Sequence, residues 1–353
     1  MPPTLATIRR LPKADLHSHI DGSIPPSELF RIARKFHRKI LAPNGGDLDS
    51  VTALMRYVRG EGYSSMLENV VDRFFPITNL MQTEDVLRAA GSAYVKTQYL
   101  DGVRYAEGRF APQYHTKEGL SLEDAIASMA EGLAEGREQY GVKVNLITAI
   151  GRESTSRFGE AVAIAALSTK KAVALDLGGP EAGNPPQRFR RAFELVSAAG
   201  LKATVHAGEG AGSVEQNLEN IGTAINLLGA NRVGHAIHLV RSDSLVNLVK
   251  AKSVGVEMNP ISNLVLRKTA SLNELGLDVL LRKQVMVSVN SDDPALWPRG
   301  KLSQVYAAVC RAYGFRNSEL GRLMENSIRS SFATYHEKAE LLDDFRSAFK
   351  YQK

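Results

Sequence analysis

Four stretches of the chain carry imidazoles and carboxylates, the side chains that bind divalent metals and move protons. His17 and His19 stand two apart in Ala-Asp-Leu-His17-Ser-His19-Ile, so both point to one side of an extended strand. An apolar run from Leu201 to Val205 stops at His206, an Ala-Gly turn follows, and Glu209 comes three residues after the histidine. His235 follows Gly234, and Asp292 and Asp293 stand together before Pro294. Zinc and similar ions accept imidazole nitrogen and carboxylate oxygen, and a catalytic site leaves one position open for water. Two histidines at i and i+2, a third histidine and an aspartate supply such a set. Water on such a centre has its pKa lowered toward neutrality, which makes hydroxide available at physiological pH. Taken singly, each stretch has an ordinary structural explanation. His-x-His recurs by chance, and Asp-Asp-Pro commonly forms a turn that caps a helix.

The elements around these stretches give them a common frame. Strands are expected at Ala14–Ile20, Val103–Phe110, Val142–Ile150, Ala172–Leu177, Leu201–His206, Arg232–His238, Val254–Asn259 and Gln284–Asn290. Helical patterns separate those from residue 103 onward: Ser121–Tyr140 with a Ser121/Asp124 cap, Ser156–Ser168, Gln187–Ala199, Val214–Leu228, Ser242–Lys252 and Leu272–Leu281. Several strands are continuously apolar, as buried parallel strands are. Eight strands alternating with helices read as an α/β fold, a (β/α)8 TIM barrel, over a single domain spanning 1–353. The strand ends carry His17, His19 and Asp21, then Asp176-Leu-Gly-Gly179, His206 with Glu209, His235, and Asp292 with Asp293. In a barrel these C-terminal ends converge on one mouth. A helical insertion follows the first strand (about 26–100), with segments at Leu48–Arg59, Tyr63–Phe75 and Thr83–Leu100. It carries an apolar stripe of Met66, Val70 and Phe74 and is placed to act as a lid. Two or three further helices are expected from Leu302 to about residue 350.

Composition narrows the class. The chain of 353 residues carries a net charge of +6, but its cations, such as Arg31, Arg34, Lys35, Arg38 and Lys39, alternate with apolar residues. That pattern belongs to solvated helix faces, so no nucleic-acid partner is expected. The one cysteine, Cys310, excludes an intrachain disulfide and a thiolate metal cluster. The first ten residues lack the apolar core of a signal peptide, and no apolar run approaches membrane-spanning length, so a cytoplasmic protein is expected.

The motifs His17-x-His19-x-Asp21-Gly22, His206-Ala-Gly-Glu209, Gly234-His235 and Asn290-Ser291-Asp292-Asp293-Pro294 resemble those of the adenosine deaminase family of metal-dependent amidohydrolases. Leu11-Pro-Lys13, Glu107-x-Arg109 and Asp176-Leu-Gly-Gly179 fit it too, so the resemblance runs in order from about residue 11 to 332. It implies one zinc ion per chain on His17, His19, His206 and Asp292. It further implies Glu209 as proton donor to purine N1 and His235 as the group that orients and deprotonates the attacking water. Asp293 would hydrogen-bond N7, the Gly179 N–H would reach N3, and Asp21 would bind the ribose 5′-hydroxyl. The other zinc deaminase pattern, His-x-Glu with Pro-Cys-x-x-Cys, cannot be built with one cysteine.

The expected reaction is hydrolytic deamination of adenosine or 2′-deoxyadenosine, a small-molecule purine nucleoside. The alternatives are other 6-aminopurines (adenine, an N6-substituted AMP, aminodeoxyfutalosine or another 5′-modified adenosine) and, in a different class, a catalytically silent nucleoside binder. Three segments depart from the commoner family pattern: Ala236 after the histidine, Asn259-Pro260 in place of Cys-Pro, and Gly178-Gly179-Pro180-Glu181. His37, His115, His238 and His336 are not expected to bind the metal.

Overall fold

The structure, a computed structural model, describes residues 1–59, 67–210 and 212–350. Eight strands pair in sequence order, all in parallel: β1 (Lys13–His19), β2 (Val103–Phe110), β3 (Lys143–Gly151), β4 (Ala172–Gly178), β5 (Lys202–Ala207), β6 (Arg232–His235), β7 (Gly255–Met258) and β8 (Val287–Val289). A parallel bridge between Ser18 and Asp292 brings the last strand back to the first, giving the (β/α)8 barrel. β1 is buried along nearly its whole length, as a strand covered on both faces must be.

Closure between β8 and β1 is made largely by side chains, because β8 is only three residues long. Asn290 Oδ1 accepts the Leu16 N–H at 3.0 Å, and its amide donates to Met258 O and Ser288 Oγ. Ser291 bonds the buried Asp15 carboxylate through both its N–H and its hydroxyl. The Asp292 N–H donates to His17 O and the His19 N–H donates to Asp292 O, each at 2.9 Å. One tetrapeptide thus closes the barrel and carries two of the candidate site residues.

Most expected helices form close to their expected bounds, and the Ser121 hydroxyl accepts the Asp124 N–H at 3.0 Å as the cap predicts. The differences have local causes. β6 stops at His235 because His235 and Ala236 take left-handed φ values of 64° and 46°, which end an extended strand. Gln284, also left-handed at 60°, belongs to the turn that precedes β8. Pro260 opens a short helix, Pro260–Val265, which periodicity could not reveal in six residues. The expected helix Leu272–Leu281 is instead a 3-10 turn, Leu272–Leu275, followed by Leu277–Arg282.

Between β1 and β2 lie helices Pro26–Lys35, Val51–Arg59, Leu67–Leu80 and Glu84–Leu100. Phe74 and Phe75 of the third face the central cavity. Tyr63, where that helix was expected to start, and Met66 of its stripe lie outside the described residues, as does the Val70 side chain. Helices Leu302–Tyr313, Asn317–Ser330 and Tyr335–Lys350 follow the barrel. Among the described residues no helix is long and apolar enough to cross a membrane.

Replacing Asn290 by Ala leaves the buried Leu16 N–H without this partner, whereas Met258 O keeps the backbone N–H of residue 290. Such a group costs about 1–3 kcal/mol. Urea unfolding of Asn290→Ala should show a loss in that range; an unchanged midpoint would mean that the closure does not depend on this amide.

Candidate active site

The strand ends deliver the candidate residues to one cavity of about 260 Å³, lined by His19, Asp21, Gly179, His206, Glu209, His235, Asp292 and Asp293 among others. At the end of β5, Gly208 takes a φ of 76°, a left-handed turn that carries the chain from His206 back to Glu209. Glu181 holds that turn: its carboxylate accepts the N–H groups of Gly208, Glu209 and Gly210 at 2.8–3.0 Å and the amide of Asn220 at 2.8 Å. On β6, a methyl group at Gly234 would come within 2.7 Å of His17 Cε1, so only glycine lets the imidazoles approach.

Four rings gather here. The His17 centroid lies 4.5 Å from that of His206 and 5.1 Å from that of His235, and His19 lies 5.3 Å from His206. His17 Nδ1 is 2.7 Å from Glu257 Oε2, and His206 Nδ1 is 3.1 Å from Asp176 Oδ1. Each carboxylate takes an Nδ1 proton, which leaves Nε2 with a free lone pair. His17 Nε2 is buried without a hydrogen-bond partner, 3.3 Å from Asp292 Oδ1. His19 Nε2 is 3.5 Å from the same oxygen and 3.3 Å from His206 Nε2. Donor atoms of His17, His206, His235 and Asp292 all lie within 4.8 Å of one another, and His19, Asp292 and Asp293 form an overlapping group. An orphaned imidazole nitrogen facing other nitrogen and carboxylate donors fits a divalent cation; this is a candidate His/Asp metal site.

The electrostatics follow burial and neighbours. Burial lowers His206 below the ordinary imidazole range and His19 well below it, so both rings stay neutral with lone pairs to offer. Burial also opposes charge on His17, yet the Asp292 and Glu257 carboxylates raise it overall. Asp176 and Glu257 are fully buried, which works against their ionisation. His206 and Arg109 beside the first, and Arg232 and Arg109 beside the second, nevertheless hold both well below the usual carboxylate range. Arg109 joins the two, with Nη1 2.7 Å from Asp176 and Nη2 3.1 Å from Glu257. Burial raises Asp21 to about 6. Burial beside Asp292, Asp21 and Glu209 puts Asp293 well above its ordinary value.

His235 differs from the other rings. Its Nδ1 faces the neutral amide oxygen of Asn263 at 2.8 Å, and its Nε2 lies 3.1 Å from Asn259 Nδ2 and 3.7 Å from Glu209 Oε1. His115 is buried against Met81 O, and His336 is exposed beside Glu340.

All nine residues expected from the sequence therefore border or build this one site. Sequence reading missed Glu257, Glu181, Asn263 and the contact of Asn259 with His235. The available signal was a carboxylate inside an otherwise apolar strand, as in Gly255-Val-Glu257-Met258.

Fold and site together define a (β/α)8 barrel with a candidate His/Asp metal site at the C-terminal ends of its strands. Residues 12–348 match the family model described as adenosine deaminase. An adenosine deaminase of Mycobacteroides abscessus is 32% identical over 357 residues, covering 96% of this chain and 95% of the relative. The crystal structure of adenine deaminase from Arthrobacter aurescens superposes with a TM-score of 0.85 at 30% identity, covering 96% of this chain and 99% of that one. An N6-methyl-AMP deaminase from Arabidopsis thaliana shares the fold, with a TM-score of 0.81 at 24% identity over 98% and 99% of the two chains. The chain belongs to the adenosine deaminase family and is a deaminating hydrolase.

Because Glu257 orients His17 and is shared with Arg109 and Arg232, Glu257→Gln keeps its size but removes the charge behind the ring. Removing such a supporting partner typically costs 10–100-fold in metal affinity or activity. Competition with a chromophoric chelator should show weaker metal retention in about that range; wild-type retention in a normally folded variant would dismiss the orienting role.

Proposed function

We propose that this enzyme hydrolytically deaminates adenosine or 2′-deoxyadenosine, giving the 6-oxopurine nucleoside and ammonia, with one zinc ion held by His17, His19, His206 and Asp292. The observation that carries this reading is the pair Glu209 and His235, 3.7 Å apart beside the histidine–aspartate cluster and inside the cavity. Bound there, zinc supplies a water that is acidic enough to yield hydroxide. His235, backed by a neutral amide rather than a carboxylate, is left outside the ligand set as the group that accepts the water proton. Glu209 would give a proton to ring N1, making C6 electrophilic toward the water oxygen. The proton taken up by His235 would pass to the amino group, which leaves as ammonia as the C6–N bond breaks, and the C6 hydroxyl proton would return to Glu209. Asp293 donates to N7, the Gly179 N–H reaches N3, and Asp21 receives the 5′-hydroxyl.

Charge favours a nucleoside over a nucleotide. Of the carboxyls in the described lining, Asp21 and Asp72 have no proposed part in metal binding or proton donation, and one ammonium, Lys117, stands with them. A 5′-phosphate would meet Asp21 where an uncharged hydroxyl is accepted. A second reading, deamination of free adenine, is favoured by the 30% identity to an adenine deaminase.

A panel of adenosine, 2′-deoxyadenosine, adenine, AMP and N6-methyl-AMP, followed by loss of absorbance at the adenine maximum, separates these readings. The two nucleosides should have the highest kcat/KM; turnover of adenine alone, or of the nucleotides first, would overturn the assignment. Glu209→Gln should keep the zinc while kcat falls by about 10²–10⁴, the usual contribution of a positioned proton donor. Wild-type kcat in that variant would remove Glu209 from the mechanism.

A further inference from the structure

The ring of His235 is held from both sides by one short helix. Asn259 occupies the capping position of Pro260–Val265, and Asn263 stands one turn later, its N–H donating to Asn259 O at 3.0 Å. Positions i and i+4 share a helix face, and here both amides meet one imidazole. Asn263 Oδ1 lies 2.8 Å from His235 Nδ1, and Asn259 Nδ2 lies 3.1 Å from His235 Nε2. An asparagine that caps a helix ordinarily accepts a backbone N–H of the first turn with its side-chain oxygen. Asn259 makes no such bond, and its Oδ1 is buried without a partner. The side chain forgoes the cap and reaches the ring instead. An amide oxygen only accepts and an amide nitrogen only donates. The pair therefore admits one tautomer of His235, with the proton on Nδ1 and a lone pair on Nε2.

Glu209 gives that arrangement its consequence. Its Oε1 is 3.7 Å from His235 Nε2, just beyond hydrogen-bond reach, and both residues are buried. A direct bond between them would occupy both the carboxyl and the imidazole lone pair at once. Such a charge-assisted bond is about twice as strong as a neutral one, so water would displace the Asn259 amide from Nε2 far more easily than a carboxylate.

We propose that Asn259 is a positioning residue, whose amide N–H, with Asn263 opposite, sets the orientation and tautomer of His235 and keeps Nε2 from pairing with Glu209. This rests on the functional reading above, in which His235 receives the water proton, and adds how this chain presents the ring. Asn259 acts through His235, so its effect falls on the chemical step and not on ligand binding.

Nitrogen NMR of the zinc-loaded enzyme labelled with 15N-histidine tests the arrangement directly, with His235→Gln assigning the signal. The wild type should show a protonated Nδ1 and a bare Nε2 at neutral pH, and Asn259→Leu should show a mixture of tautomers. An Nε2–H form in the wild type, or an unaltered pattern in the folded variant, would overturn the proposal. Leucine is close to asparagine in shape and also removes the unpaired oxygen, so the thermal midpoint of Asn259→Leu should not fall. Its kcat should drop about 3- to 10-fold, the net worth of one hydrogen bond, with KM little changed. A raised KM with kcat intact, or a loss of kcat matched by loss of folded protein, counts against a positioning role. The wild-type spectrum needs no change at position 259 and decides the tautomer even if that variant fails to fold. Turnover of aminopurines by the wild type is scored separately. Turnover with the Nε2–H form removes the clamp and leaves the functional reading, whereas the expected spectra without turnover do the reverse.

Discussion

The site depends on one fully buried cation. Arg109 sits between Asp176 and Glu257, and each of those carboxylates holds the Nδ1 of one cluster histidine, His206 and His17 respectively. Arg232 adds a second guanidinium, bonded to Glu257 and Glu107, and Thr204 fills the remaining Glu257 lone pair at 3.1 Å. Burying this many charges is a poor way to gain stability, because desolvation costs several kcal/mol per ion and apolar residues of similar size often do as well. What the network supplies is direction. With both carboxylates held in the ionised form, the Nδ1 protons are fixed, and the two Nε2 atoms are left to the same cluster of donors, all within 4.8 Å of one another.

Barrel closure and site geometry are made by the same residues, so one cannot be altered alone. Asp292 takes a φ of 61°, costly for a residue with a side chain, and two backbone bonds to β1 keep it there. His235 and Ala236 carry similar strain one strand pair away, held by bonds from the Ala236 N–H to Ala207 and Gly234. Such conformations persist only where the surroundings over-determine them. Here the β5–β6 and β8–β1 seams do so, and two of the three strained residues, His235 and Asp292, line the cavity.

The barrel was legible because its signal is repeated: eight strand patterns, several of them continuously apolar, alternate with helical periods, and five carry polar residues at their C-terminal ends. His17-x-His19 and His206-Ala-Gly-Glu209 were legible because each motif is a strand end plus its turn, a local unit whose geometry spacing dictates. The supporting residues were not. Glu257 acts on His17 across 240 positions of sequence, and Glu181 acts on the Gly208 turn across 27. Nothing local distinguishes them except that a charge stands where burial forbids an unpaired one. Asn259 was visible as a departure from the family pattern, but only the fold shows that its amide touches His235 Nε2. Short or strained elements, such as Pro260–Val265 and the early end of β6, escaped for the opposite reason: they are too brief for periodicity to register.

Asp292 and Asp293 show how adjacent, identical side chains are shifted in opposite directions. Asp292 is buried, which opposes ionisation, but the surrounding imidazoles hold its carboxyl well below the ordinary range. Asp293 is equally buried, and that burial together with the Asp292, Asp21 and Glu209 carboxyls pushes it well above the ordinary range. Their neighbours differ: Asp292 Oδ1 lies 3.3 Å from His17 Nε2, whereas the Asp293 carboxyl also meets those of Asp21 and Glu209. The consequence is chemical. An ionised carboxylate can bind a cation but cannot donate a hydrogen bond, and a neutral carboxylic acid can donate one to a ring nitrogen that only accepts. A purine ring presents acceptors at N1, N3 and N7, so the face that reads it needs donors. In the proposed reading a protonated Asp293 would supply a donor for that face, while Asp292, one residue earlier, would be the anion for a metal.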